Sequence, residues 1–210
     1  MYDIVIDVDG VILDVHTSLT QYFKERGQHY SVKDVYTYDF NRSLPSSFEK
    51  PDTLPPVSAI LNAFTDPTVY KTAPVNWDAI AYIRRCAEIY PWLTFCVYTL
   101  SPNDDIRHTK QIMYDRWFCG IRNIKLINTL DNKKPPLMAR TVIEDCHCNL
   151  RQYEDNTYRY LVNTHYNQKR YNPEYDDVFN HNRFTRCKNT LQAVELAIAK
   201  AIYLKHMAIE

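Results

Sequence analysis

Glycine is scarce, at 3 residues in 210, and that scarcity excludes a great deal. A glycine-rich phosphate cradle cannot be built, so nucleotide-binding loops of the GxxxxGK[ST] and GxGxxG kinds are ruled out. Charge of one sign is not in excess either. Lys plus Arg is 25 and Asp plus Glu is 25, which argues against a dedicated nucleic-acid binder. No apolar run reaches the roughly 20 residues that span a bilayer. The first residues, Met1 to Asp9, have no basic run and no cleavage site, so no secretory signal is expected. Of the six cysteines only Cys146 and Cys148 lie close together, around His147, and no CxxC or HxxxH partner is present to complete a zinc site. Reduced thiols and a cytoplasmic protein are therefore expected.

What is present has the composition of a folded domain. Hydrophobic residues make up 45% and charged residues 24%. Short β-branched or aromatic runs alternate with stretches of helical spacing. Asp3 to Val11, Leu93 to Tyr98, Ile124 to Ile127, Thr141 to Ile143 and Tyr158 to Val162 read as buried strands. Val15 to Arg26, Trp77 to Ile89, Asp104 to Phe118 and Leu191 to Met207 read as helices. That alternation predicts an α/β fold, a parallel sheet flanked by helices. Between about Tyr30 and Ala73 the chain is rich in Tyr, Phe, Pro and Ser, and an inserted subdomain of short helices is expected there.

In a sheet of this kind ligands bind beyond the carboxyl ends of the strands. Those positions hold Asp7-Val8-Asp9-Gly10, Thr99-Leu100-Ser101, Lys133-Lys134 and Glu144-Asp145, with Asn149 four residues on. Asp7 and Asp9 can share one site while Val8 packs away, if the chain bends at Gly10. With Asp145 they form an all-oxygen donor set suited to Mg²⁺. One carboxylate can attack phosphorus, a second can move the proton, and a hydroxyl and a Lys can hold phosphoryl oxygens. Thr99 and Ser101 also suit the start of the next helix, and Lys133 and Lys134 also suit a solvated surface.

The run IVIDVDGVILD resembles motif I of the haloacid dehalogenase-like phosphatases, and TVIEDCHCN resembles their motif IV. LTFCVYT followed by Leu100-Ser101-Pro102 resembles motif II, and more narrowly the T-S-P segment of the 5′(3′)-deoxyribonucleotidases. Lys134, before Pro135, or Lys133 resembles motif III, and LVNTHYNQ resembles a strand of that branch ending in P-Y-N. The resemblance implies a Rossmann-like core at residues 1–15 and 74–210 and a helical cap at 16–73, inserted after motif I. It implies an Mg²⁺-dependent nucleotidase working through an aspartyl-phosphate. Asp7 would be the nucleophile, and Asp9 the general acid/base, giving its backbone carbonyl to the metal. Thr99, or Ser101, would bind phosphate; Lys134, or Lys133, would stabilise charge. Asp145 would complete the metal ligands, with Glu144 and Asn149 behind it. Phe40 and Phe64 are offered as guesses for contacts to base or sugar. A small-molecule nucleotide is the expected substrate; stable nucleic-acid binding and membrane attachment are not expected, and capped relatives are often homodimers. The alternatives are a 3′-phosphatase of polynucleotide ends and a non-catalytic binding protein on the same scaffold.

Overall fold

In the computed structural model, residues 1–31, 55–130, 134–167 and 182–207 are described. Six short runs form one sheet: β1 (Tyr2–Asp7), β2 (Phe95–Leu100), β3 (Ile124–Thr129), β4 (Ala139–Glu144), β5 (Tyr158–Val162) and β6 (Phe184–Cys187). Their order is β3-β2-β1-β4-β5-β6 and every pairing is parallel. Parallel strands are covered on both faces, so they read as nearly continuous apolar runs, as β1 and β2 do. The sixth strand, Phe184-Thr185-Arg186-Cys187, was not expected. It is a four-residue edge strand with two polar residues, too short and too polar to stand out.

Among the described residues the helices are α1 (Val15–Lys24), α2 (Val57–Ala63), α3 (Pro67–Thr72), α4 (Trp77–Ile89), α5 (Asp104–Phe118), α6 (His147–Arg151) and α7 (Thr190–Met207). Several of them start at side chains that take up free amides. Asp14 accepts from Thr17 N at 3.0 Å, Asn76 from Ala79 N at 3.1 Å, and Asn103 from Ile106 N at 2.9 Å. Asn103 therefore caps α5, and Ser101 is left for another role. Gly27, at φ 70°, follows the end of α1.

Successive strand residues feed opposite faces. Ile4, Ile6, Phe95, Val97 and Ile143 join a large apolar cluster with Leu19 and Phe23 of α1, Ile80 and Ile83 of α4, Ile106 of α5, and Val194 and Ile198 of α7. Val5, Cys96, Tyr98, Val142 and Leu161 face the other way, onto Leu150 of α6 and onto Tyr153. The described part of 16–73 consists of α1, α2, α3 and their connections. Its Ile60, Val69 and Tyr70 belong to the large cluster too. Phe40, Lys133 and the rest of the aromatic segment between 32 and 54 lie outside the described residues. No described helix is long and apolar enough to cross a membrane.

Strand order reverses direction between β1 and β4. That opens a crevice at their carboxyl ends, the place where doubly wound sheets take ligands.

Candidate active site

Asp7 ends β1 and Glu144 ends β4, side by side at this reversal. Beyond Asp7 the chain folds back at once. Ile12 N and Leu13 N both donate to Val8 O at 2.8 Å, and Gly10 N donates to Leu13 O at 2.8 Å. Val8 is buried among apolar neighbours, as the two-residue spacing predicts. Gly10 adopts φ 76°, and a Cβ there would overlap the Asp145 carboxylate and come within 2.7 Å of the Tyr166 hydroxyl. Only glycine fits, because the loop carrying Asp9 lies directly on Asp145.

Carboxylate oxygens of Asp7, Glu144 and Asp145 lie within 4.8 Å of one another, all three residues being buried. Lys134 Nζ sits between two of them, 2.5 Å from Asp7 Oδ1 and 2.5 Å from Glu144 Oε1. The Tyr98 ring lies under this ammonium at 4.9 Å, and the Tyr98 hydroxyl donates to Pro135 O at 2.8 Å, fixing the segment that carries Lys134. Asn149 Nδ2 donates to both Glu144 oxygens at 3.2 Å. Glu144 is thus committed to Lys134 and Asn149, and its role is to hold them.

Asp9 points elsewhere. Its Oδ2 accepts from Lys110 Nζ at 2.6 Å, and the same ammonium donates to Thr99 Oγ1 at 2.9 Å and Leu100 O at 2.7 Å. The Tyr70 ring lies 4.8 Å from this ammonium. Thr99, fully buried, therefore belongs to the site through Lys110. Ser101 does not reach that ammonium in any hydrogen bond; its hydroxyl donates to Asn128 Oδ1 at 2.6 Å. Phe64 is half-buried and meets the His16 ring edge-on, centroids 6.3 Å apart.

Lys110 was missed from the sequence. A signal was there: Ile106, Lys110, Met113 and Trp117 recur at spacings of four, three and four, which puts a lysine in an apolar stripe. Tyr166 and Asn167 were not among the site residues expected from the sequence. The Tyr166 hydroxyl donates to Asp145 Oδ2, and Asn167 Nδ2 donates to Asp145 O at 2.8 Å and Val162 O at 2.7 Å. Together they fix the Asp145 carboxylate and its peptide. The Tyr166 ring also meets the His16 ring at 4.8 Å, and His16 Nδ1 lies 2.8 Å from the Tyr30 hydroxyl.

Electrostatics follow from this crowding. Burial pushes the Glu144 carboxyl up to about 7, with Asp7 adding to the rise and Lys134 opposing it. Burial, then Asp7 and Glu144, push Asp145 well above the usual carboxylate range. Burial also raises Asp9, against the pull of Lys110; its side chain is 27% exposed, so water relieves part of that penalty. Burial works to lower Lys134, but Asp7 and Glu144 outweigh it and hold the ammonium charged above its ordinary range.

Four carboxylates here face two ammonium groups, leaving negative charge uncompensated among the described residues. The buried Asp145 Oδ1 and Asp9 Oδ1 have no hydrogen-bond partner there. Uncompensated charge, hard oxygen donors and an orphaned buried carboxylate oxygen fit a divalent cation such as Mg²⁺. Asp7 and Asp145 are the side chains placed to hold it, since Glu144 is already engaged. No protein-family model matches the chain, and no curated protein matches it.

Proposed function

We propose that the chain is an Mg²⁺-dependent phosphomonoesterase of the haloacid dehalogenase-like kind, acting on nucleoside monophosphates, with the 5′(3′)-deoxyribonucleotidases as the nearest branch. The observation that carries this reading is the Asp7–Lys134–Asp145 group at the β1/β4 crevice, with Asp9–Lys110–Thr99 beside it. Residues 16–73, of which 16–31 and 55–73 are described, are read as the cap subdomain.

In this account Lys134 fixes one Asp7 oxygen, which leaves the other to attack phosphorus in line with the ester oxygen. Asp9, two residues on and partly open to water, gives a proton to the departing alkoxide. It then takes one from the water that opens the aspartyl-phosphate. Lys110, Lys134 and Thr99 hold the phosphoryl oxygens as charge shifts among them, preorganised by the bonds they already make. Mg²⁺, when held by Asp7, Asp145 and the Asp9 carbonyl, neutralises carboxylate and phosphate charge. Tyr166 and Asn167 keep Asp145 in place for that task. Neutral net charge favours a mononucleotide over a polynucleotide end.

Phosphate release from a panel of ribo- and deoxyribonucleoside monophosphates, with Mg²⁺ and with EDTA, tests the reading. Metal-dependent release from a nucleotide subset, abolished by Asp7→Asn, is expected. Release from 3′-phosphorylated oligonucleotides alone would move the assignment to polynucleotide ends. No release from any phosphomonoester would sink it.

A further inference from the structure

Outside the crevice a cavity of about 440 Å³ lies between α5 and the segment 71–77, which joins α3 to α4. From α5 it is lined by Thr109, Ile112, Met113 and Arg116, positions that fall on one face of the helix. From the other segment it is lined by Lys71, Val75 and Trp77, among others. None of Asp7, Asp9, Lys110, Lys134 and Asp145 lines it. Lys110 follows Thr109 in the chain but reaches away to Asp9, so one helix serves the crevice and this cavity from different faces.

The walls combine two kinds of unspent surface. Trp77 is 56% exposed and Ile112 50%, so a large ring and a branched aliphatic chain stand open to water beside the cavity. Apolar surface gathered at a concave site is what a small-molecule pocket needs. Lys71 and Arg116 are both exposed, and neither makes an ion pair or a side-chain hydrogen bond among the described residues. No acidic residue is among the described residues that line the cavity, so two positive charges there have no counter-charge in the wall. The Thr109 side chain, buried against the helix face, makes no hydrogen bond among the described residues either.

We propose that this cavity binds a nucleoside monophosphate separately from the crevice, with the base against Trp77 and the phosphate between Lys71 and Arg116. A phosphate monoester carries roughly −1.5 to −2 charges at neutral pH, which two uncompensated cations match. Arg116 offers a planar fork to its oxygens and Lys71 a point charge. An indole face accepts any nucleobase, because every base has a π-face. Inorganic phosphate alone would leave Trp77 and Ile112 uncovered, and an uncharged nucleoside would leave both cations uncompensated. The volume falls within the roughly 300–1,000 Å³ of small-molecule sites. No bond is made or broken here, and the proposal stands whether or not the crevice is a phosphatase.

Calorimetric titration of the full chain with adenosine monophosphate, in EDTA and at low salt, tests the site. Saturable binding is expected, with adenosine and inorganic phosphate each at least about tenfold weaker. Trp77→Ala should weaken it about tenfold, and Trp77→Phe, which keeps an aromatic face, should restore most of the loss. Lys71→Gln and Arg116→Gln should each weaken it about tenfold. All three side chains are exposed, so circular dichroism should show an unchanged fold in every variant. Binding that is undiminished in the Trp77 and Arg116 variants would place the nucleotide elsewhere and overturn the proposal. Adenosine binding as tightly as its monophosphate, or no binding of the monophosphate at all, would overturn it too. Failure of the chain to release phosphate from any nucleotide would bear on the phosphatase reading alone.

Discussion

Replacing Lys110 by Met keeps the stem of the side chain and removes its ammonium group. Three hydrogen bonds disappear, to Asp9 Oδ2, Thr99 Oγ1 and Leu100 O. Removing one partner of a fully buried ion pair costs about 3–5 kcal/mol, because a charge is left without compensation. Here Asp9 is 27% exposed and water softens the loss, so about 2 kcal/mol is expected at neutral pH. The deficit must depend on pH. Burial already raises Asp9 above its ordinary value, and without Lys110 it rises further. A folded state that holds this proton more tightly than the unfolded one loses stability as pH rises beyond the unfolded carboxylate value. Lys110→Met should therefore be worst near neutral pH and recover towards acid. Asp9→Asn removes the stranded charge, so the double variant should be about 1–2 kcal/mol better than the two single losses added together. Urea unfolding of the four proteins at two pH values measures all of this. Strict additivity, or a Lys110→Met loss that does not change with pH, would refute the reasoning.

Other contacts give sharper local tests. Gly10→Ala forces a Cβ into the Asp145 carboxylate at a backbone of φ 76°, and should cost about 1–2 kcal/mol for the backbone alone, with weaker Mg²⁺ binding by calorimetry. Tyr166→Phe deletes the hydroxyl that donates to Asp145 and keeps the ring on His16; Mg²⁺ affinity should fall about 10–100-fold while the fold, read by circular dichroism, is retained. His16 is held at about 4 by burial, Asp14 opposing only in part, so the unfolded state takes up the proton first as pH falls. Stability should drop by about 3 kcal/mol between pH ~6.5 and ~4 in denaturant titrations, and His16→Asn should remove that slope.

Legibility in the sequence followed burial. β1, β2 and β5 were readable because a parallel strand covered on both faces is a nearly continuous apolar run, broken here only by Asp3 in β1, by Thr99 in β2 and by Arg159 in β5 before the strand ends. α4 and α5 match the boundaries expected from their spacing, and both begin at an Asn that can cap an amide. β6 escaped because an edge strand needs less apolar surface. Asp7, Glu144 and Asp145 could be picked out because carboxylates at strand ends have few structural reasons to cluster, whereas the turn of Asp9 towards Lys110 could not be foreseen. The choice between Thr99 and Ser101 could not be made, since both are hydroxyls at one strand end; a helical lysine eleven residues after Thr99 favours Thr99. Lys110 itself was hidden by the ordinary frequency of lysine in helices, and only its place in the apolar stripe betrayed it. Tyr166 could not be read as a partner of Asp145, because that contact joins the ends of two strands through a short 3₁₀ turn.

The account turns on Asp7 becoming phosphorylated. Protein quenched during turnover of a hydrolysed nucleotide can be reduced with borohydride, which converts an aspartyl-phosphate to homoserine, and the peptide containing residue 7 then weighed. Homoserine at position 7, appearing only when both nucleotide and Mg²⁺ are present, is the predicted result. Phosphate released into solution while residue 7 remains aspartate throughout would contradict it.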